Sequence, residues 1–108
     1  MTTKLPLAWN DLHDAILHKI SLDWATGQAE VELETCERFD TPSRKINIVV
    51  TATTNLILPR KFPWGPSIHV NEVRGPYQKL EKNSTILEIE MQSGDVIEFE
   101  AMRIEVTA

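Results

Sequence analysis

Apolar and polar residues alternate along most of the chain with a period of two, the period of a strand with one buried face. Six runs carry the pattern, in three groups. In the first, Ile16, His18, Ile20, Leu22 and Trp24 share a face while Lys19, Ser21 and Asp23 take the other. After Ala25-Thr26-Gly27-Gln28 the alternation resumes, with Val31 and Leu33 inward and Glu30, Glu32 and Glu34 outward. Directly paired residues share a face, so even inward positions before the turn and odd ones after it require paired numbers with an odd sum. A four-residue loop satisfies this. It predicts a hairpin with Trp24 opposite Ala29, Leu22 opposite Val31 and Ile20 opposite Leu33.

The last group, Thr85 to Val106, places Leu87, Ile89 and Met91 inward together with Ile97 and Phe99. A three-residue loop, Gln92-Ser93-Gly94, then sets Leu87 opposite Phe99 and Ile89 opposite Ile97, with Gly94 in the left-handed position such loops favour. Past Ala101 the apolar phase moves by one residue to Met102, Ile104 and Val106, which predicts a β-bulge near Ala101-Met102. Between these groups, Lys45 to Leu58 reads as a long central strand with Ile46, Ile48, Val50 and Ala52 inward. Val49 and Ile57 make it apolar on its other face as well, as a strand covered on both sides would be. Pro59 to Pro66, PRKFPWGP, lacks the amide donors for a ladder and reads as a loop. Ser67 to Arg74 offers a further strand with Ile68, Val70 and Glu72 on one side, ended by Gly75-Pro76. Tyr77 to Asn83 reads as a helical turn or loop, and Trp9 to Asp14 as a helical turn capped by Asn10. The sum is a mainly β domain, with α+β as the variant. It has about six mostly antiparallel strands forming a curled sheet, a sandwich or a partly open barrel, and little helix.

Composition narrows what such a domain does. The 108 residues, 42% hydrophobic and 25% charged, suit a single domain over 1–108 with one core. A net charge of −5 argues against nucleic acid and anionic membrane as partners, since both call for a basic face. No apolar run approaches the ~18 residues of a membrane-spanning helix. The N-terminal MTTKLPLAWND lacks the apolar stretch of a signal peptide. A lone Cys36 excludes an internal disulfide and fits a reducing, cytoplasmic setting.

Candidate chemistry is sparse. His13, Asp14 and His18 could in principle supply a base with its orienting carboxylate, or ligands for zinc. On a strand, however, His13 and His18 face opposite sides, so His18 reads as a core histidine and His13-Asp14 as a strand-entry motif. His69 has polar neighbours in Asn71 and Arg74 but no nucleophile. Cys36 lies between Glu34 and Glu37, which oppose thiolate formation, and reads as a half-buried structural residue. Neither Ser93-Gly94-Asp95 nor Gly65-Pro66-Ser67 has the flanking glycines of a nucleophile elbow, and no phosphate-cradling glycine motif is present. No cofactor, metal site or catalytic set is therefore expected.

The stretch Arg60 to Ser67 stands out. Phe62 and Trp64 on a proline-braced loop are rigid aromatics of the kind that anchor protein interfaces. The competing assignment is a plug over the open end of the sheet. Outward carboxylates form stripes, Glu30, Glu32 and Glu34 on one hairpin and Glu88, Glu90, Glu98 and Glu100 on the other. Glu88 opposite Glu98 is unfavourable unless a cation intervenes.

LHDA (Leu12 to Ala15), Asp23-Trp24, Pro59 to Ser67, Asn71 to Arg74 and Leu87 to Asp95 together resemble a family of small uncharacterised bacterial proteins. That family implies no activity and no catalytic residues. The HDA start before a β-rich body is also similar to that of some small bacterial immunity proteins. The expectation is a non-catalytic protein-binding module, an immunity-type inhibitor or assembly factor. Trp64 and Phe62 would be its anchors, Arg60 and Arg74 would orient the partner, and the glutamate stripe would steer it. The alternative is a small ligand-binding or metal-dependent enzyme domain in which His13, Asp14 and His69 converge. A homodimer through an exposed edge strand is a third arrangement.

Overall fold

The computed structural model describes residues 12–36, 42–61, 67–79 and 83–107. They form six strands: β1 (Ile16–Asp23), β2 (Gln28–Glu34), β3 (Lys45–Ile57), β4 (Val70–Lys79), β5 (Ser84–Met91) and β6 (Val96–Thr107). All neighbours are antiparallel, in one open sheet of order β1-β2-β3-β6-β5-β4. The two longest strands, β3 and β6, lie at its centre.

One face carries the core. Val31, Ile48, Val50, Val70, Leu87, Ile89, Phe99 and Ala101 are all fully buried, and every strand but β1 contributes to that cluster. β1 adds Leu17, Ile20 and Leu22, partly buried against it. In a flat sheet the two outer strands of six would stand about 24 Å apart, five spacings of roughly 4.8 Å. Here they touch at one end. The Asp14 amide donates to the Val70 carbonyl, the Val70 amide to Ala15 and the Leu17 amide to Ile68, each at 2.8 Å. The sheet therefore bends round toward its own apolar face at this corner. A helical turn at Leu12, with Asp14 at φ 66°, feeds the chain into the closure.

The β5–β6 hairpin has the expected register, Leu87 opposite Phe99 and Ile89 opposite Ile97, closed over Gln92–Gly94 with Gly94 at φ 97°. The β1–β2 hairpin is shifted by two residues from the expectation. Leu22 faces Ala29 and Ile20 faces Val31, while Trp24 sits in the turn and is 88% exposed. The cause is local. The Asp23 carboxylate accepts the amides of Ala25 and Thr26, and the Gly27 amide closes on the Asp23 carbonyl, so the turn is Trp24–Gly27. A bulge between Leu17 and Lys19 then sends Leu17 inward and leaves His18 exposed, correcting its assignment to the core. Cys36 is likewise exposed, not half-buried.

The phase change in β6 is present, with Ala101 buried, Met102 exposed and Ile104 and Val106 back on the core. The register shift lies opposite it, between Thr53 and Asn55, so the extra residue belongs to β3. Ala52, at φ 56°, turns β3 at the same level. Ile57 is about half exposed, so this strand is not covered on both faces along its length.

β4 departs most from the sequence pattern. It continues through Gly75-Pro76, and its inward residues are Val70 and Val73, with Ile68 53% exposed and Glu72 outside. Bulges between Val70 and Glu72 and between Arg74 and Tyr77 reset its phase. As an outer strand it accommodates a proline that a central strand would not. Gly75 is required there. At φ 97° a Cβ would stand 2.7 Å from the Ile86 carbonyl oxygen. Tyr77 to Lys79 extend the strand, so the helical turn expected from Tyr77 is absent over those residues. Trp9 to Asp11, Phe62 to Pro66 and Leu80 to Lys82 lie outside the described residues.

Candidate binding site

Past Val50, β3 leaves β2 behind. β2 pairs with residues 45–50 only, whereas β3 continues to Ile57 against β6. The Thr53 amide still bonds the Gly27 carbonyl of the β1–β2 turn. From that point β1 and the second half of β3 flank a slot. Toward the turn, a cavity of ≈ 420 Å³ lies between Leu22 and Trp24 on one wall and Thr53 to Leu56 on the other. Toward the closed corner, a second cavity of ≈ 320 Å³ is lined by Leu17 to Ile20, Leu58 to Arg60, Ser67, Ile68, Met91, Asp95 and Ile97.

The second cavity combines an apolar floor with a cationic rim. Leu17, Ile20, Met91 and Ile97 supply the floor, and Leu58 and Ile68, each about half exposed, stand at the mouth. Lys19 and Arg60 line the same cavity. The one carboxylate of its lining, Asp95, is buried and accepts the Lys61 amide (3.1 Å) and the Ser93 hydroxyl (3.0 Å). The site thus offers apolar surface and positive charge on a chain of net charge −5.

Of the four residues expected to bind, Arg60 lines this cavity, and Phe62 and Trp64 lie outside the described residues. Arg74 does not line it. It sits on the outward face of β4, where its Nη1 donates to Glu72 (2.9 Å) and Glu90 (3.0 Å) and its Nε to Glu88 (3.4 Å). Glu88 does face Glu98, and Arg74, directly opposite Glu88 on β4, is the cation that makes the arrangement tolerable. Hydrogen bonds from Asn71 and Arg74 hold the Glu90 carboxyl below its ordinary value. The same glutamates, Glu90 foremost, raise Arg74. Burial, then Glu88 and Glu98, push the Tyr77 hydroxyl up. Glu100, expected outward in the stripe, is buried and accepts the Ser84 hydroxyl at 3.0 Å.

His13, Asp14 and His69 gather at the corner where β1 meets β4. His13 Nε2 lies 3.6 Å from Asp14 Oδ2, and Ile16 bridges His69. Asp14 and His69 share a shallow depression with Glu34, Cys36 and Gln92. The side chains of His13 and Asp14 are engaged in closing the sheet. His13 Nδ1 donates to the Asn71 carbonyl, and the Gln92 amide donates to the Asp14 carboxylate. His18 donates to Glu34 (3.0 Å), which together with the Ser43 hydroxyl holds that exposed carboxyl below its ordinary value. Among the described residues no three His, Cys, Asp or Glu side chains are grouped to hold a metal ion, and no helix is long and apolar enough to cross a membrane.

Lys19, Leu58 and Ile68 were not singled out as binding residues by their sequence pattern. Ile68 even fits an inward phase. Its exposure follows from the closure with β1, which spends its carbonyl on Leu17 and leaves the side chain at the cavity mouth. The chain matches no protein-family model, no curated protein and no solved structure.

Proposed function

We propose that the chain is a non-catalytic, cytoplasmic protein-binding module, the role of immunity-type inhibitors and small assembly factors. It receives an apolar side chain of its partner in the cavity between β1 and the segments 58–60 and 67–68. The observation that carries this reading is the pair Leu58 and Ile68, half exposed at the mouth of an apolar cavity. Large aliphatic side chains left at the rim of a concavity mark recognition sites more often than they serve the core. On the outer face of β4, by contrast, Arg74 is matched by Glu72, Glu88 and Glu90.

A ligand or catalytic site at the His13, Asp14 and His69 corner has their shared location in its favour. We assign that corner to closing the sheet, because the His13 ring and the Asp14 carboxylate bond the β4 backbone and the β5–β6 turn.

The test is affinity capture from the native lysate with the wild-type chain and Ile68→Asp, checked first for equal melting temperatures. A stoichiometric partner lost in Ile68→Asp is the expected result, with Trp64→Ala weakening it by ~2 kcal/mol or more if Trp64 is the anchor that the sequence suggests. A partner held equally by Ile68→Asp would remove the cavity from the interface. Capture of no partner by either chain would overturn the reading.

A further inference from the structure

The slot has a property that a pocket for one side chain does not need: β1 runs along one side of both cavities, faced by β3 at Thr53 to Leu56 and by the segments 58–60 and 67–68 beyond it. β1 pairs with β2 on one side, and beyond Leu17 its other edge makes no backbone hydrogen bond among the described residues. β3 beyond Thr53 is bonded to β6 alone in the same sense. The two cavities lie in line along β1, from Trp24 at one end to Arg60 and Ile68 at the other. An unpaired strand edge running beside apolar cavities is a geometry that accepts an added strand. There, main-chain hydrogen bonds supply affinity and alternate side chains enter pockets.

From this, and resting on the binding-module reading above, we infer that the slot takes an extended segment of the partner as an additional strand. We infer further that the segment alternates apolar and acidic residues. Leu17 to Trp24 spans about 25 Å of strand, room for about eight residues. The apolar alternation follows from the two cavities, floored by Leu17, Ile20 and Ile97 in one and by Leu22 and Leu56 in the other. The acidic character follows from Lys19, a cation on the β1 wall of the slot. Bulges, a proline and the paired charges of Arg74 leave β4 poorly suited to the same role.

The probe is a synthetic peptide of about eight residues alternating Glu and Val, titrated into the full chain and followed by fluorescence polarisation and amide hydrogen exchange. Saturable binding with a Kd below about 1 mM is expected, with exchange slowed in residues 54–58 and 18–22 and unchanged in β4. A Lys–Val peptide of equal length should bind at least about tenfold more weakly, and Lys19→Glu should reverse that order. N-methylation of alternate peptide amides should abolish binding.

Equal binding of the N-methylated peptide would overturn strand addition while leaving a side-chain pocket in place. Equal binding of the Lys–Val peptide would overturn the acidic preference. If no peptide binds, the inference fails, and capture of a partner that depends on Ile68 shows whether the binding-module reading survives it. A dimer in sedimentation equilibrium that dissociates on Lys19→Glu would give the edge to a second copy of the chain and also overturn it.

Discussion

The outward face of β4–β5 and the slot between β1 and β3 are both polar-rimmed surfaces near a sheet edge, yet they are built on opposite principles. On the first, Arg74 is held by Glu72, Glu88 and Glu90, Glu90 is held in turn by Asn71, and the strand edge is broken by two bulges. On the second, aliphatic side chains stand half exposed and two strand edges run without ladder partners among the described residues. A surface whose groups satisfy one another has little free energy left to gain from a partner. One that leaves apolar area and backbone donors unsatisfied gains when they are covered. Charge alone does not separate the two surfaces. Satisfaction does.

The sharpest way to break the comparison is at Gly75, which shapes β4 and touches nothing in the slot. Gly75→Ala puts a Cβ 2.7 Å from the Ile86 carbonyl at a positive φ. It should cost roughly 2–3 kcal/mol in urea denaturation while peptide binding to the surviving folded fraction is unchanged. Loss of binding at constant stability would mean that the two regions are coupled.

A smaller effect is expected from Arg74→Ala. Its side chain is about one-third exposed, so the ion pairs are screened, and the loss should be on the order of 1 kcal/mol, including the repulsion released between Glu88 and Glu98. Partner capture should not change. Loss of the partner at near-wild-type stability would restore Arg74 to the interface.

The smallest effect is a pH dependence. Glu90 is held below its ordinary value of about 4.3, so its contribution is complete above that pH and is lost as pH falls through its lower folded value. The wild-type chain should therefore be more stable than Glu90→Gln at pH 7, by several tenths of a kcal/mol, and the difference should vanish in acid. A gap that persists or widens in acid would show that Glu90 acts through packing and not through its charge.

Much of the fold was legible because the residues that specify it are close in sequence. The β5–β6 register follows from the alternation of Leu87, Ile89, Ile97 and Phe99 together with one glycine suited to a three-residue loop. The β1–β2 register did not follow, because periodicity permits any shift by two and only the Asp23 carboxylate, bonding forward to two amides, decides which turn forms. That Asp-x-x-x-Gly spacing is a usable local signal. The bulges in β1 and β4 are less visible, since inserting one residue turns a correct period into a wrong face, as Leu17, His18 and Val73 show. The candidate site was half legible. Its chemistry at Arg60 belongs to the loop that composition marks, whereas Lys19 and Ile68 reach the cavity through a pairing between residues about fifty apart.

By itself, then, the sequence determined the class of fold, the strands and one hairpin register. Period, turn chemistry and proline placement act within a few residues, and their free energies do not depend on distant partners. Only the tertiary structure decided that the outer strands meet at Ala15 and Val70, that Arg74 serves the β4–β5 face, and that β1 and β3 flank an open slot. Those outcomes depend on how a six-stranded sheet bends to bury Phe99 and its neighbours, which is a property of the whole apolar face and not of any one segment.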